Sequence, residues 1–168
     1  MNFIEAGRGR VVLVIGVEKM SDVDSETLNR MLLKAAYLKE ESSVVSGFAG
    51  VFADITQQYF ACHGDQADAM AAIAAKNHHN GCANPWAQLR KDLGYDFCRM
   101  ASDENPVVAS PLRRTDCSLV SDGAAAVVLA DLDTAAELPK AVRFRAAMQV
   151  NDLLPMSRRD MTTLDGCA

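Results

Sequence analysis

The sequence lacks the cysteine spacing of a disulfide framework or of a structural zinc site. Its cysteines are odd in number, irregularly spaced and never arranged as Cys-x-x-Cys: Cys62, Cys82, Cys98, Cys117 and Cys167. Small disulfide scaffolds and zinc modules are therefore excluded. We expect free thiols, which in a reducing compartment behave mostly as small buried apolar side chains.

Clusters of basic residues and long apolar runs are missing as well. The 168 residues include 17 Lys or Arg and 22 Asp or Glu, a net charge of −5, whereas nucleic-acid-binding surfaces carry clustered cations. No run approaches the roughly 18 apolar residues of a membrane span, and the N-terminus does not follow the order of a signal peptide. The composition predicts a soluble protein without nucleic-acid partners or a membrane span, and we take the cytoplasm as its location.

Two continuous apolar runs predict β-strands. VVLVIGV covers Val11 to Val17, and AAVVLA covers Ala125 to Ala130 after an Asp-Gly turn. Apolar character without alternation is typical of strands that are covered on both faces. KAVRFRAAMQV, residues 140–150, predicts a third strand, so the expected fold class is α/β.

Apolar residues at three-four spacing predict helices between the first two strands. The first helix follows a capping signal at Ser21 and carries Leu28, Met31, Leu32, Ala35 and Leu38. A second helix ends near Gly64, and a third runs from Asp65 to about Asn77. Residues 80–111 are interrupted by Gly and Pro, which predicts loops. The pattern therefore indicates a sheet domain that carries a large helical excursion.

The stretch KNHHNGCANPWAQLR, residues 76–90, contains two adjacent histidines, a cysteine and the only tryptophan. Adjacent histidines cannot both face one ion from a regular helix, where residues at i and i+4 do so. The sequence instead predicts a helix C-terminus, with Lys76 and His78 or His79 near the negative end of the dipole and Asn80-Gly81 as the cap. No metal site is predicted.

A catalytic pair of cysteine and histidine is compatible with the sequence, which leaves it open. Cys62, Cys82 or Cys117 could pair with His63 or His78. Five cysteines and three histidines produce such pairs easily by chance. No residue is therefore assigned a catalytic role.

Four motifs, in this order, resemble the thiolase family, and most closely its sterol-carrier-protein-type branch: IGVEKMS, KNHHNGCANPWAQ, DCSLVSDGAAAVVLA and NDLLPMSRRD. Thiolases have two similar α/β halves, with a helical loop domain inserted into the first. The resemblance implies a partial thiolase-like α/β fold. Residues 1–20 would hold the end of a helix and the fourth strand of the N-terminal half, and 21–118 the inserted loop domain. Residues 119–138 would hold the fifth strand and its connection, and 139–168 the beginning of the C-terminal half.

The resemblance also implies a function in lipid metabolism. The family comprises acyltransferases that act on acyl-CoA thioesters, of acetyl-CoA acetyltransferase or 3-ketoacyl-CoA thiolase type. Coenzyme A would be a substrate moiety, and no cofactor is implied. Its phosphates require cations, for which Lys76, Arg113 and Arg114 are the candidates. The full-length family further implies a homodimer or tetramer, and some relatives work with a small partner subunit.

The catalytic motifs of the family find no match in this sequence. The nucleophilic cysteine of thiolases precedes the fourth strand and would lie before Met1, while the later histidines and second cysteine would follow Ala168. Cys117 does not match the position of the nucleophile. We therefore expect a fragment that is inactive alone. Two alternatives are a thiolase-like aldolase subunit for steroid-type CoA esters and a non-catalytic remnant that binds CoA.

Overall fold

The computed structural model describes residues 2–160 and 163, and the chain divides into two compact units. Unit 1 consists of Met1–Asp22 and Val120–Gln149, and unit 2 of Val23–Leu119 and Val150–Ala168. Cys167 and most of the predicted segment after Asp160 lie outside the described residues. The assignment of residues 21–118 to a thiolase loop domain stays a prediction.

Unit 1 is built on a ribbon of two strands. Its elements are the helices α1 (Asn2–Glu5) and α7 (Leu132–Ala136) and the strands β1 (Val11–Glu18) and β4 (Gly123–Ala130). β1 and β4 run antiparallel, with Val11 opposite Ala130 and Glu18 opposite Gly123. Both strand predictions are confirmed in position.

The expectation that β1 and β4 are covered on both faces is wrong. Val14 and Val17 of β1 are 48% and 76% exposed, and Val127 and Val128 of β4 are 57% and 62% exposed, while Val12 is half-buried. Besides the two strands, the described part of unit 1 contains only helices of four and five residues, too short to cover a face. The apolar runs therefore form strands without forming a core.

The third predicted strand is also wrong. Residues 141–150 form no strand or helix, and Val142 is 97% exposed. A strand is stabilised by a neighbour that pairs with its backbone N–H and C=O groups. Among the described residues, β1 and β4 pair only with each other, so the apolar pattern at 140–150 has no partner strand.

Unit 2 contains five helices and a short hairpin among its described residues. The elements are α2 (Ser25–Leu33), α3 (Leu38–Glu41), α4 (Gly47–His63), α5 (Ala67–Cys82), α6 (Gly94–Arg99), β2 (Val107–Ala109) and β3 (Leu112–Arg113), with 3₁₀ turns at Arg114–Asp116 and Met156–Arg158. The predicted second helix is confirmed as α4, which ends where Gly64 takes φ +77°. No described helix is both long and apolar enough to cross a membrane.

Two details of the first predicted helix are wrong. Asp24, rather than Ser21, caps α2, because its carboxylate accepts a hydrogen bond from the Thr27 N–H at 2.8 Å. The helix ends at Leu33, and Leu38 opens the separate helix α3. Leu38 fits the apolar spacing of α2 although it belongs to α3, so the spacing does not mark one continuous helix.

The core of unit 2 consists mainly of small side chains. Ala71 and Ala74 of α5 pack against Cys98 of α6, while Ala53 of α4 packs against Ala109 and Leu112 of the hairpin. Small residues let helix axes approach closely, as the small-residue face of α5 predicts. The prediction that residues 80–111 form only loops is wrong, because this segment contains α6 and β2. Both elements pack into the core of unit 2.

Candidate functional site

The three predicted CoA-binding cations lie on two elements of unit 2 that pack against each other, α5 and the region of β3 and the following 3₁₀ turn. Lys76 on α5 and Arg114 in the turn are exposed, whereas Arg113 is only 6% exposed. The Arg113 Nη1 atom donates to the carbonyl oxygen of Cys98 at 2.6 Å. Lys76 and Arg114 are therefore available to anions in solution. The Arg113 side chain instead links the hairpin to α6.

Asn105 completes the polar cluster around Arg113. Its side chain is fully buried. The Nδ2 atom donates to the carbonyl oxygens of Phe97 and Met100 at 3.0 and 3.2 Å, and Oδ1 accepts from the Thr115 N–H at 3.0 Å. Because these bonds join the end of α6 to the 3₁₀ turn, Asn105 fixes the loop that positions Arg113 and Arg114.

The 3₁₀ turn Arg114–Asp116 is also held by its last side chain. The Asp116 Oδ2 atom accepts a hydrogen bond from the Arg113 N–H at 2.8 Å. Two buried atoms of this turn, Thr115 Oγ1 and Asp116 Oδ1, have no hydrogen-bond partner in the described structure. The turn is therefore held by hydrogen bonds from the backbone N–H groups of Arg113 and Thr115 to the side chains of Asp116 and Asn105.

The described cysteines are free thiols, as predicted. Only Cys98 is buried, however, because Cys62 is exposed and Cys82 and Cys117 are half-buried. Burial raises the pKa of the Cys98 thiol and of the Cys117 thiol. A nucleophilic cysteine requires the opposite shift, so neither thiol has the environment of a thiolase nucleophile.

The stretch of residues 76–90 forms a helix end, as predicted, but its cap differs. α5 continues through Gly81 to Cys82, and Ala83 is the C-terminal cap. The predicted cap at Asn80-Gly81 is wrong because the backbone there keeps helical hydrogen bonds, with the Ala83 N–H donating to the Asn80 carbonyl at 3.2 Å.

His79 contacts a carboxylate at the start of α6. Its Nδ1 atom lies 2.8 Å from Asp92 Oδ2, and the Asp92 Oδ1 atom accepts from the Gly94 N–H at 3.2 Å, at the start of α6. The hydrogen bond with His79 is the main cause of the lowered pKa of Asp92. The described residues contain no group of three His, Cys, Asp or Glu side chains suited to a metal.

The open Cys/His alternative gains no support at Cys82. The Cys82 Sγ atom lies 3.5 Å from the His78 backbone carbonyl oxygen, to which it donates. This is an i to i−4 contact within α5 rather than a contact with the imidazole ring. The contact orders the thiol without activating it.

Trp86 stands out from the surface next to this helix end. It is 88% exposed, and its backbone N–H donates to Asn84 Oδ1 at 3.0 Å. The Asn84 contact fixes the turn after α5. The indole itself makes no aromatic stacking pair among the described residues.

Unit 1 has its own polar cluster at the end of the ribbon that holds the last residue of β1 and the first residue of β4. The Asp122 Oδ1 atom accepts from the N–H groups of Met20 and Ser21 at 2.8 and 2.9 Å, and its Oδ2 accepts a short hydrogen bond from the Ser21 hydroxyl. Lys19 Nζ lies 2.6 Å from Asp22 and 3.5 Å from Asp122. The Ser21 bonds lower the pKa of Asp122 to about 2. These bonds, which we call the Asp122 clamp, join the segment after β1 to the segment before β4.

A second ion pair closes the opposite end of the ribbon. The Arg10 Nε atom lies 2.7 Å from Asp131 Oδ2, and the Asp131 carboxylate also caps α7 through the Thr134 N–H. The Arg10 guanidinium is the main cause that holds the pKa of Asp131 far below its usual range. The Asp-Gly turn predicted before the second strand is wrong, because Gly123 already pairs with Glu18 as the first residue of β4. The hydrogen bonds of Asp122 and Asp131 were not predicted.

Unit 2 also has an open surface pocket of about 270 Å³. Its lining combines apolar and polar side chains: Glu41, Val44, Val51, Asp54, Gln58, Met156, Ser157 and Arg159. Glu41 is 7% exposed, and its carboxylate accepts from the N–H groups of Tyr37 and Met156. One Glu41 oxygen therefore holds the start of α3 at Tyr37, and the other joins α3 to the segment at Met156.

Residues 1–133 match the model of the protein family described as "Thiolase, N-terminal domain". The chain is 30% identical over 164 residues to a protein named acetyl-CoA acetyltransferase from Methanothermobacter thermautotrophicus, covering 96% of this chain and 41% of that protein. It is 29% identical over 163 residues to another acetyl-CoA acetyltransferase, from Methanocaldococcus jannaschii, covering 95% and 40%. A third relative, from Caenorhabditis elegans, is named non-specific lipid-transfer protein-like 2; it is 29% identical over 136 residues, covering 75% of this chain and 32% of that protein. The chain thus spans about two fifths of the two acetyltransferases.

Proposed function

The chain belongs to the thiolase family and has a partial thiolase-like α/β fold, and on that premise we propose that it serves acyl transfer on acyl-CoA thioesters. The observation that carries the proposal is the similarity to two acetyl-CoA acetyltransferases along almost the whole chain. Its described residues would contribute CoA binding. The thiol chemistry would come from elsewhere in the whole protein.

The division between binding and chemistry follows from what thioester transfer requires. A thiolate attacks the acyl carbonyl, a base takes the thiol proton, and donors stabilise the oxyanion. The two described thiols with shifted pKa, Cys98 and Cys117, are shifted upward by burial. They favour the protonated form, which is a poor nucleophile. We therefore propose that the 168-residue chain has no acyl-transfer turnover by itself.

The proposed CoA contact uses the exposed cations beside α5. Lys76 and Arg114 are solvent-accessible on packed elements, and charge-assisted hydrogen bonds to phosphate are stronger than neutral ones. Arg113 would act through its bond to the Cys98 carbonyl, which fixes the turn that carries Arg114. This arrangement presents positive charge on an ordered surface in a protein of net charge −5.

Isothermal titration calorimetry with CoA tests the binding step. We expect Lys76→Gln and Arg114→Gln each to weaken CoA binding by about tenfold, because each removes one charge-assisted phosphate contact. Lys39→Gln is the matched control, since Lys39 is an exposed lysine on the separate helix α3. Absence of CoA binding, or equal weakening by all three substitutions, would contradict the proposed site.

An activity measurement tests the division of roles. The 168-residue chain is incubated with acetoacetyl-CoA and CoA, and loss of the thioester enolate absorbance is followed. We expect no thiolysis above the uncatalysed rate, together with the CoA binding described above. Turnover by this chain would show that the described cysteines are competent nucleophiles and would overturn the proposal.

A lipid acyl chain is a second candidate for the substrate class. One relative of this chain carries the name non-specific lipid-transfer protein-like 2, which favours a bulky apolar ligand over acetyl alone. Comparison of acetyl-CoA with a long-chain acyl-CoA in the same calorimeter separates the two. Tighter binding of the long-chain ester favours the lipid substrate, and equal binding favours recognition of the CoA moiety only.

A further inference from the structure

The end of α5 and the loop after it carry positive charge that the proposed CoA site uses only in part. Between Asp68 and Asp92 the chain contains no acidic residue. The interval holds three cations and two histidines: Lys76, Arg90, Lys91, His78 and His79. Histidine is the side chain that changes charge between roughly pH 5 and 8, so the histidines decide how the charge of this surface varies with pH.

His79 is the histidine that shares a helix face with Lys76. The two residues are three positions apart on α5, and side chains at i and i+3 are neighbours on a helix surface. The His79 side chain is 74% exposed. His78 is two positions from Lys76, a spacing at which side chains do not face each other. An anion held by Lys76 therefore meets His79 rather than His78.

Asp92 determines which nitrogen of His79 is open to a ligand. The Asp92 Oδ2 atom lies 2.8 Å from His79 Nδ1, and an ionised carboxylate only accepts hydrogen bonds. Nδ1 therefore carries a proton, and the neutral imidazole has its lone pair on Nε2. Within the described residues the His79 ring has no other hydrogen-bond partner, so Nε2 is the open nitrogen.

Protonation of His79 reverses what Nε2 offers to an anion. The neutral ring presents a lone pair there, which repels a phosphate oxygen. The imidazolium presents an N–H donor and a positive charge, and hydrogen bonds between charged partners are the stronger class. Asp92 accepts from Nδ1 in both states, so the ring keeps its position while its charge changes.

Other titratable groups lie on α5 and on the elements packed against it, which are α6 and the 3₁₀ turn at Arg114–Asp116. With those of the intervening loop they are Asp68, Lys76, His78, Cys82, Arg90, Lys91, Asp92, Tyr95, Asp96, Cys98, Arg99, Arg114 and Asp116. Asp68 and Arg99 pair with each other at the start of α5. Among the described members of this set, Asp92 alone forms an ion pair with His79.

We propose that His79, held by Asp92, is a phosphate-binding residue beside Lys76 whose protonation makes CoA binding tighter as the pH falls. This inference rests on the proposed function, because it adds a residue and a pH dependence to the CoA site assigned to Lys76. The sign follows from reciprocal coupling. A ligand that prefers the imidazolium raises the proton affinity of His79, and protonation in turn raises the affinity for the ligand.

Calorimetry with CoA at pH 6 and pH 8 tests the proposal. A phosphate monoester of the ligand itself titrates near pH 6, so the parent and the variants are compared at the same pH. His79→Gln stays polar but cannot be protonated. We expect it to weaken CoA binding by about fivefold at pH 6 and by less than about twofold at pH 8. His78→Gln is the matched control and should bind CoA as the parent does at both pH values.

Nuclear magnetic resonance measures the same coupling in the parent chain. The chain has three histidines, and the ring signal that His79→Gln lacks identifies His79. Saturation with CoA should move the midpoint of the His79 titration upward by about 0.8 pH units, which corresponds to the expected weakening at pH 6, and should leave His78 unchanged. A contact between His79 and Asp92 that only stabilises the fold would give no such response to the ligand.

The outcomes separate this inference from the proposed function. Tighter binding at pH 6 that depends on His79, together with the moved titration, supports it. If Lys76→Gln weakens CoA binding while His79→Gln equals the parent at pH 6, the proposed function is retained and this inference is overturned. An unmoved His79 titration, or equal weakening by His78→Gln and His79→Gln, overturns it as well. Absence of CoA binding at both pH values overturns the two together.

Discussion

At the scale of single residues, buried or shared hydrogen bonds decide what each polar side chain does. The Arg113 and Asn105 side chains donate hydrogen bonds to backbone carbonyls inside unit 2, whereas Lys76 and Arg114 are exposed. Asp122 binds backbone and hydroxyl donors at the end of the ribbon. The same residue types therefore hold the fold at some positions and stay available for ligands at others.

Asn105→Ala should destabilise unit 2 by about 2–3 kcal/mol. The substitution leaves the carbonyls of Phe97 and Met100 and the Thr115 N–H without their partner in a buried place, and unsatisfied buried groups are costly. The measurement is urea unfolding followed by circular dichroism. Asn77→Ala, at an exposed position of α5, is the control and should not destabilise. Equal stability of the two variants would contradict the role of Asn105.

Asp122→Asn should lower the stability of unit 1 at neutral pH and remove part of its acid sensitivity. The pKa of Asp122 is about 2 in the folded chain, below its ordinary value. A depressed carboxyl pKa contributes stability above the unfolded value, about 3.9, which is lost as pH falls towards 2. Denaturation of the parent and the variant is compared at pH 7 and pH 2.5.

The difference between parent and Asp122→Asn should shrink at the lower pH, because protonation of Asp122 removes the contribution from the parent too. Asp103→Asn changes an exposed carboxylate in unit 2 and should show no such pattern. A difference of constant size between pH 7 and pH 2.5 would count against the Asp122 clamp.

At the scale of elements, close backbone approach rather than helix propensity sets the position of α4. A Cβ atom added to Gly50 would lie 1.9 Å from the Val45 carbonyl oxygen and 2.7 Å from the Val44 side chain. Neither contact can be relieved without moving the chain before the helix. Glycine is therefore required by the turn that leads into α4.

A pair of glycine substitutions tests this requirement. Gly50→Ala should destabilise by about 2–3 kcal/mol through overpacking. Gly81→Ala should stabilise by about 0.5 kcal/mol, because Gly81 lies in the last turn of α5, the nearest atom to an added Cβ is 3.7 Å away, and alanine has the higher helix propensity. Thermal unfolding of both variants is compared. Opposite signs are expected, and destabilisation by both would contradict the helical geometry at Gly81.

At the scale of the whole molecule, the described hydrophobic core belongs to unit 2. Its buried apolar residues lie between Leu28 and Leu112, and no residue of unit 1 is among them. An isolated pair of strands is only marginally stable in water. The two units should therefore differ in stability.

Hydrogen exchange should reveal this difference. Amides of β1 and β4 should exchange faster than those of α4 and α5, because local stability follows buried apolar contact. Mass spectrometry of peptic fragments measures the exchange of each element. Equal protection of the two units would refute the prediction.

Much of the element order followed from local patterns in the sequence. β1 and β4 were predicted by continuous apolar runs, α4 by its periodicity and by Gly64, and α5 by its small-residue face. The motifs around IGVEKMS and SDGAAAVVLA also indicated the family, which the match to residues 1–133 confirms. These properties depend on neighbours in the chain, so they are readable without coordinates.

The sequence was less informative wherever a distant partner decides the outcome. The missed packing of α6 arises from contacts of Cys98 with Ala71 and Ala74, and the failed strand at 140–150 has no partner to pair with. Among the candidate cations, adjacent Arg113 and Arg114 look equivalent in sequence, yet only Arg113 is buried against the Cys98 carbonyl.

The sequence by itself thus determined the family, the segments of β1, β4, α4 and α5, and the identity of the candidate cations. The tertiary structure decided which of those cations face solvent, which thiols are buried, and that the strands stay exposed. The physical reason is that propensity and patterning are local, whereas burial and hydrogen-bond pairing depend on which distant segments come into contact.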